Sequence, residues 1–505
     1  MDPIALTGDG PVVGRDLGGA LRFAGIPYGA PTSGDGRFAP PRRPEAWTQT
    51  RDAREFGPAA PQVRAAVAPQ GEDCLVVNVW TPALDGGARP VLVWFHGGGF
   101  LMGRGDEPPT DGTALAREHD LVVVSLNHRL GMMGFLDLEG LVGEEFAGSP
   151  NASMLDLVAA LRWVQRNIVA FGGDPGNVTI AGHSGGGGKV ATVMSMPLAD
   201  GLYHRAAMFG GPPFGVKTRA ETTESARLAL EALGLDRATA SRIREIPLER
   251  LLAVQAQLGA GAEPGEHGTR FSPVAGSREL PVDPFTAFAA GLSADVPFLI
   301  GTAVDEAHAA AFAKPAYLEP GWDLKDDELV AAVRPGLSDR TQAEELVRRY
   351  REIRPGSTRG RIFFDIGSDQ FRIRSMRLLE ARLAGGGARS WVYSIDVAHD
   401  GFPGSYHGIE VPFFFDTLPT HPQLGESAER QRLAREVSSA FAAFVRDGVP
   451  GGTSPWPRFD LERRRQVVLS DAGIREVDDY QSDVRRAWRG IPLGVGTDPW
   501  TTLWS

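Results

Sequence analysis

Cysteine is nearly absent from the sequence. Cys74 is the only cysteine in 505 residues, which excludes an intramolecular disulfide and any zinc or iron–sulfur site built from several cysteines. The histidines lack the helical HExxH spacing that binds zinc in metallohydrolases. The sequence therefore predicts a protein that holds no metal.

Lysine and long apolar runs are scarce as well. Only four of the 52 basic residues are lysine, and the net charge of −11 argues against a nucleic-acid or anionic-membrane partner. No apolar run reaches the roughly 18 residues that a membrane span needs. The first ten residues, MDPIALTGDG, show neither a basic leader nor an apolar signal region. We therefore expect a cytoplasmic, soluble protein; its oligomeric state is not readable from the sequence.

Apolar strand-like runs alternate with helical periodicity along the chain. Helical periodicity is clearest in residues 153–171 and 428–447. This alternation predicts an α/β protein with a mostly parallel sheet flanked by helices, in one domain spanning residues 1–505. Residues 215–385 are predominantly helical and predict a subdomain over the same core. The predicted strands are residues 74–80, 90–95, 121–129, 177–182, 298–304, 391–397 and 465–471.

One glycine-rich segment has the pattern of a nucleophile elbow. Gly182-His183-Ser184-Gly185-Gly186 is a G-x-S-x-G that directly follows a predicted strand and precedes a predicted helix. Such a tight turn holds its central residue in a strained conformation and exposes its hydroxyl at the carboxyl edge of a sheet. An ordinary glycine-rich loop is the alternative, but the flanking strand and helix favour a nucleophilic serine.

A second glycine-rich segment fits the other requirement of acyl transfer. His96-Gly97-Gly98-Gly99 follows the strand PVLVWF. A serine that attacks an ester creates an oxyanion, which needs backbone N–H donors that glycines can bring close. An HGGG sequence after an early strand is typical of esterase oxyanion holes, although alone it is also compatible with a simple turn.

These segments, together with others in the same order, resemble the type-B carboxylesterases, the carboxylesterase and cholinesterase family of the α/β-hydrolase fold. The matching blocks include FAGIPYGAP, GEDCLVVNVWTP, PVLVWFHGGGF, NHRLGMMGFL and ALRWVQRNIVAFGGDPGNVTIAGHSGG. The resemblance covers most of the chain and is densest between residues 20 and 190. It implies an enzyme without a cofactor, acting on small-molecule esters. It also implies that an oxyanion would be bound by the N–H groups of Gly98, Gly99 and Gly185.

The resemblance also suggests which residues complete a catalytic triad with Ser184. The family's acid is the Glu of an Asp-Glu pair after a strand, which here is Glu306, with Asp305 as the alternative. Its base lies in an H-G-x-E-x-P-F segment, which His407 begins. The order Ser184, Glu306, His407 is that of the α/β-hydrolases. His399 and His308 are competing histidines, and Glu410 in the same segment is interpreted as structural.

Two of the departures from the family pattern concern the surroundings of the nucleophile. His183 stands where relatives usually carry Glu before the nucleophile, and Gly210 replaces a usual Ser. A Glu at position 183 would favour the imidazolium that forms during attack, whereas a protonated histidine would oppose it. His183 is therefore interpreted as a modulating residue, and His183→Glu is expected to raise turnover or at least to flatten the decline of rate on the acid side. The alternative is a neutral hydrogen-bonding residue in a polar pocket.

Serine-dependent hydrolysis of carboxylic esters through an acyl-enzyme is the leading functional hypothesis. The alternatives are a biosynthetic acyl-transfer or cyclisation enzyme that uses the same intermediate, and a non-catalytic adhesion protein of the same fold. The physiological substrate cannot be inferred from the sequence. Candidates for an apolar substrate pocket, all of them equally expected in the core, are Phe214, Phe271, Phe285, Phe288 and Phe413 to Phe415.

Overall fold

A β-sheet forms the centre of the molecule. The computed structural model describes residues 2–63, 69–260, 270–319, 321–334, 337, 339–397, 404–425 and 427–493. Within these ranges the strands are β1 (Ile4–Leu6), β2 (Pro11–Val13), β3 (Arg15–Asp16), β4 (Leu21–Pro27), β5 (Arg51–Asp52), β6 (Val76–Thr81), β7 (Arg89–Phe95), β8 (Val122–Leu126), β9 (Gly173–His183), β10 (Arg205–Phe209), β11 (Lys217–Thr218), β12 (Val274–Ala275), β13 (Phe298–Ala303), β14 (Ser390–Asp396), β15 (Arg465–Ser470) and β16 (Gly473–Asp478).

Eleven of these strands form one mixed sheet. Their order is β16-β15-β14-β13-β10-β9-β7-β8-β6-β4-β3. The strands from β15 to β8 in this order are parallel to one another, whereas β16 at one edge and β6, β4 and β3 at the other pair antiparallel. Small separate sheets are formed by β1, β2 and β5 and by β11 and β12.

Helices cover both faces of the sheet. Within the described ranges they are α1 (Thr113–His119), α2 (Gly131–Phe135), α3 (Leu138–Val142), α4 (Ala152–Asn167), α5 (Gly185–Met194), α6 (Arg219–Ala232), α7 (Leu248–Ala260), α8 (Pro284–Ala289), α9 (Ala310–Ala313), α10 (Asp326–Val333), α11 (Arg340–Ile353), α12 (Arg359–Ala384), α13 (Val411–Phe414), α14 (Ala428–Asp447) and α15 (Ser482–Ala487). None of the helices in this part of the chain is long and apolar enough to cross a membrane.

The central strands are apolar on both sides because each side faces a core. Every residue of β7 is buried, and its side chains alternate between two hydrophobic cores. Val91, Val93 and Phe95 pack into the first core, whereas Leu92 and Trp94 pack into the second. This alternation follows from the two-residue period of a strand. It explains why the parallel strands appear in the sequence as continuous apolar runs.

The predicted fold class is confirmed, and every predicted strand segment overlaps a strand of the central sheet. The sheet has more strands than predicted: the central strand β10, the edge strand β16 and the N-terminal strands β3 and β4 were not recognised. The predominantly helical region 215–385 contains the three helices α10, α11 and α12 in its second half. The helical region 215–385 also includes β13, which belongs to the central sheet.

Candidate active site

The predicted site residues follow neighbouring strands of the sheet. The glycine loop (Gly97–Gly99) follows β7, Ser184 follows β9, Glu306 follows β13, and His407 lies on the segment after β14. These strands lie in the order β7-β9-β10-β13-β14 and run parallel. Because the carboxyl ends of parallel strands meet at one edge of a sheet, these segments converge there.

Ser184 occupies a sharp turn between β9 and α5. Its φ of 58° and ψ of −126° lie outside the regions that residues with a side chain ordinarily adopt. The turn is held in place because the Ser184 N–H donates to the Phe209 carbonyl at 2.9 Å, and the Ser184 carbonyl accepts from Gly188 N–H at 3.2 Å. The strain is therefore maintained by the neighbouring strand and the following helix.

The glycines around Ser184 are required by close backbone packing. A Cβ at Gly186 would lie 2.1 Å from the Phe95 carbonyl oxygen, and one at Gly182 would lie 2.5 Å from the Gly186 carbonyl carbon. Neither approach leaves room for a side chain. The turn can form at the end of β9 only because both positions lack one, which is the physical content of the G-x-S-x-G pattern.

The glycine loop lies directly beside Ser184. A Cβ at Gly97 would lie 3.5 Å from the Ser184 Cβ, and one at Gly185 would lie 2.5 Å from the Gly99 nitrogen. Gly98 and Gly99 have φ values of 84° and 64°, in the left-handed region that favours glycine. Backbone N–H groups from the loop and from the start of α5 therefore lie within one small region.

Glu306 and His407 form a buried pair. His407 Nδ1 donates to Glu306 Oε2, and Glu306 Oε1 accepts from the Ala303 N–H at 2.9 Å. The Glu306 side chain has no solvent exposure. Burial raises the pKa of Glu306 and lowers the pKa of His407, because it disfavours both charged forms. With Nδ1 bound to the carboxylate, the neutral imidazole carries its lone pair on Nε2.

The two alternatives in the same region have other partners. Asp305 forms an ion pair with Arg361 at 2.9 Å, and its Oδ2 accepts from the Ser405 N–H at 3.1 Å. His308 is buried and stacks on Phe364, with ring centroids 4.6 Å apart. Glu306, and not Asp305, is therefore the carboxylate that contacts His407. The remaining alternative, His399, lies outside the described residues.

The chain matches proteins of known activity over nearly its whole length. The family model described as "Carboxylesterase family" matches residues 1–484. Para-nitrobenzyl esterase of Bacillus subtilis is 31% identical, covering 96% of this chain and 98% of that protein. Phenmedipham hydrolase of Pseudarthrobacter oxydans is 33% identical, with 94% and 97% covered. A crystal structure of a Geobacillus stearothermophilus carboxylesterase is 34% identical with a TM-score of 0.86, covering 96% of this chain and 99% of that chain.

The chain belongs to the carboxylesterase family. The resemblance inferred from the sequence blocks is confirmed, and so is the α/β-hydrolase fold. The protein is accordingly a carboxylic-ester hydrolase, the first of the three functions considered above. The related proteins carry esterase and hydrolase names, which favours neither acyl transfer nor adhesion.

His183, the main departure from the family pattern, packs against His407. The two ring centroids are 4.3 Å apart. Burial and the neighbouring His407 lower the pKa of His183 well below its ordinary value of about 6.5. This direction favours the neutral alternative for His183 over a cation at neutral pH.

The second departure, Gly210, lies between His183 and two carboxylates. A Cβ at Gly210 would be 3.2 Å from His183 Nε2 and 3.0 Å from Oε1 of both Glu306 and Glu410. Neither His183 Nε2 nor Glu410 Oε2 has a hydrogen-bond partner among the described residues. Burial and the charge of Glu306 raise the pKa of Glu410. In this carboxylesterase His183 and Gly210, two positions that depart from the family pattern, therefore lie next to each other, and His183 packs against His407.

Few of the candidate phenylalanines are near the site. Phe271, Phe288 and Phe413 to Phe415 are core residues. Phe214 is partly exposed and packs edge-on against Phe371, with centroids 4.9 Å apart, and Phe371 lies 5.4 Å from the His407 ring. Phe371 was not among the candidates, because its place in the long helix α12 gave no signal in the sequence.

Lys189 is a further residue that the sequence interpretation missed. It lies on α5 and is fully buried, and its Nζ donates to the His96 carbonyl at 2.9 Å. The scarcity of lysine, together with its position in the apolar run after Ser184, was the available signal. No group of three or more His, Cys, Asp or Glu side chains in the described ranges is arranged to hold a metal ion.

Proposed function

We propose that this carboxylesterase hydrolyses esters through Ser184 as nucleophile, His407 as base and Glu306 as the acid that orients it. The observation that carries the proposal is the buried Glu306–His407 pair, which converges with the strained Ser184 turn at one edge of the sheet. The N–H groups of Gly98, Gly99 and Gly185 would bind the oxyanion. This role is supported by the proximity of the glycine loop to Ser184.

In the acylation step, Ser184 Oγ attacks the ester carbonyl while His407 Nε2 takes its proton. The carbonyl π electrons move to the oxygen, and the resulting oxyanion is bound by preorganised N–H donors. Glu306 stabilises the imidazolium that forms, because its carboxylate contacts Nδ1. The intermediate then expels the alcohol, which takes its proton from His407, and leaves the acyl group on Ser184.

Deacylation repeats the same proton transfers with water. A water molecule attacks the acyl carbonyl while His407 Nε2 takes one of its protons. The second tetrahedral intermediate expels Ser184 Oγ, which recovers the proton from His407. The products are the free carboxylic acid and the regenerated enzyme. Each atom and proton is accounted for by the ester, the water and these three side chains.

We assign small-molecule esters with an apolar group as the substrate class. The support is the aromatic contact chain from Phe214 through Phe371 to His407, which places apolar surface beside the base. Phe371 is buried and Phe214 is partly exposed. A rate series over nitrophenyl esters of increasing acyl length should show an optimum above acetate.

Replacement of the nucleophile and the base tests the proposal. We expect Ser184→Ala and His407→Ala each to reduce turnover of a nitrophenyl ester by about a millionfold, because the pair acts as a unit. Circular dichroism and the thermal midpoint should match wild type, since neither side chain holds the fold together. Turnover of Ser184→Ala within tenfold of wild type would overturn the assignment.

A further inference from the structure

A buried lysine joins the helix of the nucleophile to the glycine loop. Lys189 lies five residues after Ser184 on α5 (Gly185–Met194) and is one of four lysines in the chain. Its side chain has no solvent exposure. Nζ donates to the carbonyl of His96, the residue immediately before Gly97–Gly99, at 2.9 Å. A single side chain therefore connects the two segments that would bind the oxyanion.

Lys189 supplies the positive charge beside the glycine loop, because the two histidines near it are neutral. His96 and His128 stack with ring centroids 4.6 Å apart, and the Nδ1 of each donates to a backbone carbonyl. Burial and the charge of Lys189 lower the pKa of both imidazoles, so they are neutral. The Phe100 ring lies 5.7 Å from Nζ, and Glu107 is the acidic group whose charge favours the ammonium.

A fully buried ammonium is costly unless negative charge or strong acceptors lie near it. Here the His96 carbonyl accepts a hydrogen bond from Nζ, and Glu107 is the acidic residue whose charge favours the ammonium. The oxyanion of the tetrahedral intermediate would add negative charge at the adjoining glycine loop. The ammonium is thus better compensated in the transition state than in the resting enzyme, which is the condition for lowering a barrier.

We propose that Lys189 is a positioning residue for ester hydrolysis. Its ammonium holds the His96 carbonyl, and with it the glycine loop, against α5, and its charge favours the oxyanion bound there. The inference rests on the proposed function of Ser184 and the glycine loop. It concerns a residue that does not touch the substrate and acts through the loop.

The protonation of Lys189 gives the proposal a distinctive pH dependence. Burial lowers the pKa of Lys189 to about 7 and raises the pKa of Glu107 to about 7, and each charge opposes the shift of the other group. The ammonium is present below that pH and is lost as the pH rises through it. Hydrolysis should therefore decline on the alkaline side near pH 7, while the base His407 stays unprotonated and competent.

The test is the pH profile of kcat and kcat/KM for nitrophenyl acetate, from pH 5 to 9.5. Lys189→Met keeps the length of the side chain and removes its charge. We expect kcat below pH 7 to fall about tenfold, less than the roughly 100- to 1,000-fold for a direct oxyanion donor, and the alkaline decline to disappear. KM should change little. The surface variant Lys325→Met is the control and should keep the wild-type profile.

A second variant keeps the proposal testable if Lys189→Met does not fold. Glu107→Gln removes the carboxylate that favours the ammonium, so the alkaline decline should move to lower pH. A Lys189→Met enzyme with wild-type kcat and an unchanged alkaline decline would overturn the proposal, as would a Glu107→Gln decline that does not move. If Ser184→Ala is inactive in the same assay, such a result leaves the proposed function standing; if Ser184→Ala is active, the proposed function itself fails.

Discussion

Two adjacent carboxyl residues, Asp305 and Glu306, follow β13 and have different partners. Glu306 contacts His407, whereas Asp305 joins Arg361 and the Ser405 backbone. One peptide bond separates the two, yet the turn after β13 directs one carboxylate toward the base and the other toward α12. Their roles are therefore separable by conservative substitution.

We expect Glu306→Gln to lower kcat by about 1,000- to 10,000-fold, because an amide stabilises neither the tautomer nor the imidazolium. Asp305→Asn should keep turnover within about tenfold of wild type. It should instead lower the unfolding free energy by about 1–3 kcal/mol, since a partly buried charged hydrogen bond is weakened. Steady-state kinetics and thermal unfolding of both variants separate the two effects; the opposite ranking in kcat would assign the acid to Asp305.

The acid limb of the pH profile is determined by His407 and also reports whether the neighbouring His183 is charged. Burial lowers the pKa of His407, and the base works only when unprotonated, so kcat/KM should fall only when the pH drops well below 6.5. A cationic His183 would depress that pKa further. We expect His183→Gln to leave the acid limb in place, because His183 is neutral. A shift of the limb to higher pH in this variant would show that His183 carries charge during catalysis.

At the scale of elements, the turn between β9 and α5 depends on the close approach of two backbones. The end of β7 and the first turn of α5 are so near that Gly186 faces the Phe95 carbonyl without room for a methyl group. Two residues further along the same helix, a Cβ at Gly188 would have its nearest neighbour, a Phe100 ring carbon, at 3.5 Å, an ordinary contact. The helix therefore contains its own control position.

Gly186→Ala should lower the unfolding free energy by about 1–3 kcal/mol or more, because a methyl group is forced against backbone. Gly186→Ala should also lower kcat, because the added methyl group pushes the end of β7 away from the Ser184 turn. Gly188→Ala should be neutral or stabilise by up to about 1 kcal/mol through its helix propensity. Thermal midpoints at one scan rate compare them; equal midpoints would mean that the packing at Gly186 does not constrain the turn.

In the molecule as a whole, the carboxyl ends of the parallel strands lie at one edge of the sheet. The side chains and backbone N–H groups proposed for ester hydrolysis follow these strand ends. In the proposed mechanism His407 carries the proton and backbone N–H groups bind the oxyanion, so the steps call for no metal. We expect activity to survive exhaustive dialysis against EDTA. Loss of activity that zinc or calcium restores would contradict a metal-independent site.

The sequence predicted most of this arrangement because the parallel strands are buried on both faces. Continuous apolar runs such as PVLVWF are distinctive. The glycines of the nucleophile elbow are a second signal, because no residue with a side chain fits at those positions. The edge strand β16 was missed because its exposed face carries polar residues that interrupt the pattern, and the central strand β10 was missed because its five residues, RAAMF, form too short an apolar run. Lys189 and Phe371 were missed because their roles depend on tertiary contacts with segments distant in sequence.

Covalent labelling shows directly whether Ser184 carries the acyl group. A fluorophosphonate is attacked by an activated serine and forms a stable adduct. After inactivation, proteolysis and mass spectrometry should find one equivalent of label per chain, on the peptide that contains Ser184, and Ser184→Ala should take up none. Inactivation with the label on another residue, or full labelling of Ser184→Ala, would contradict the account.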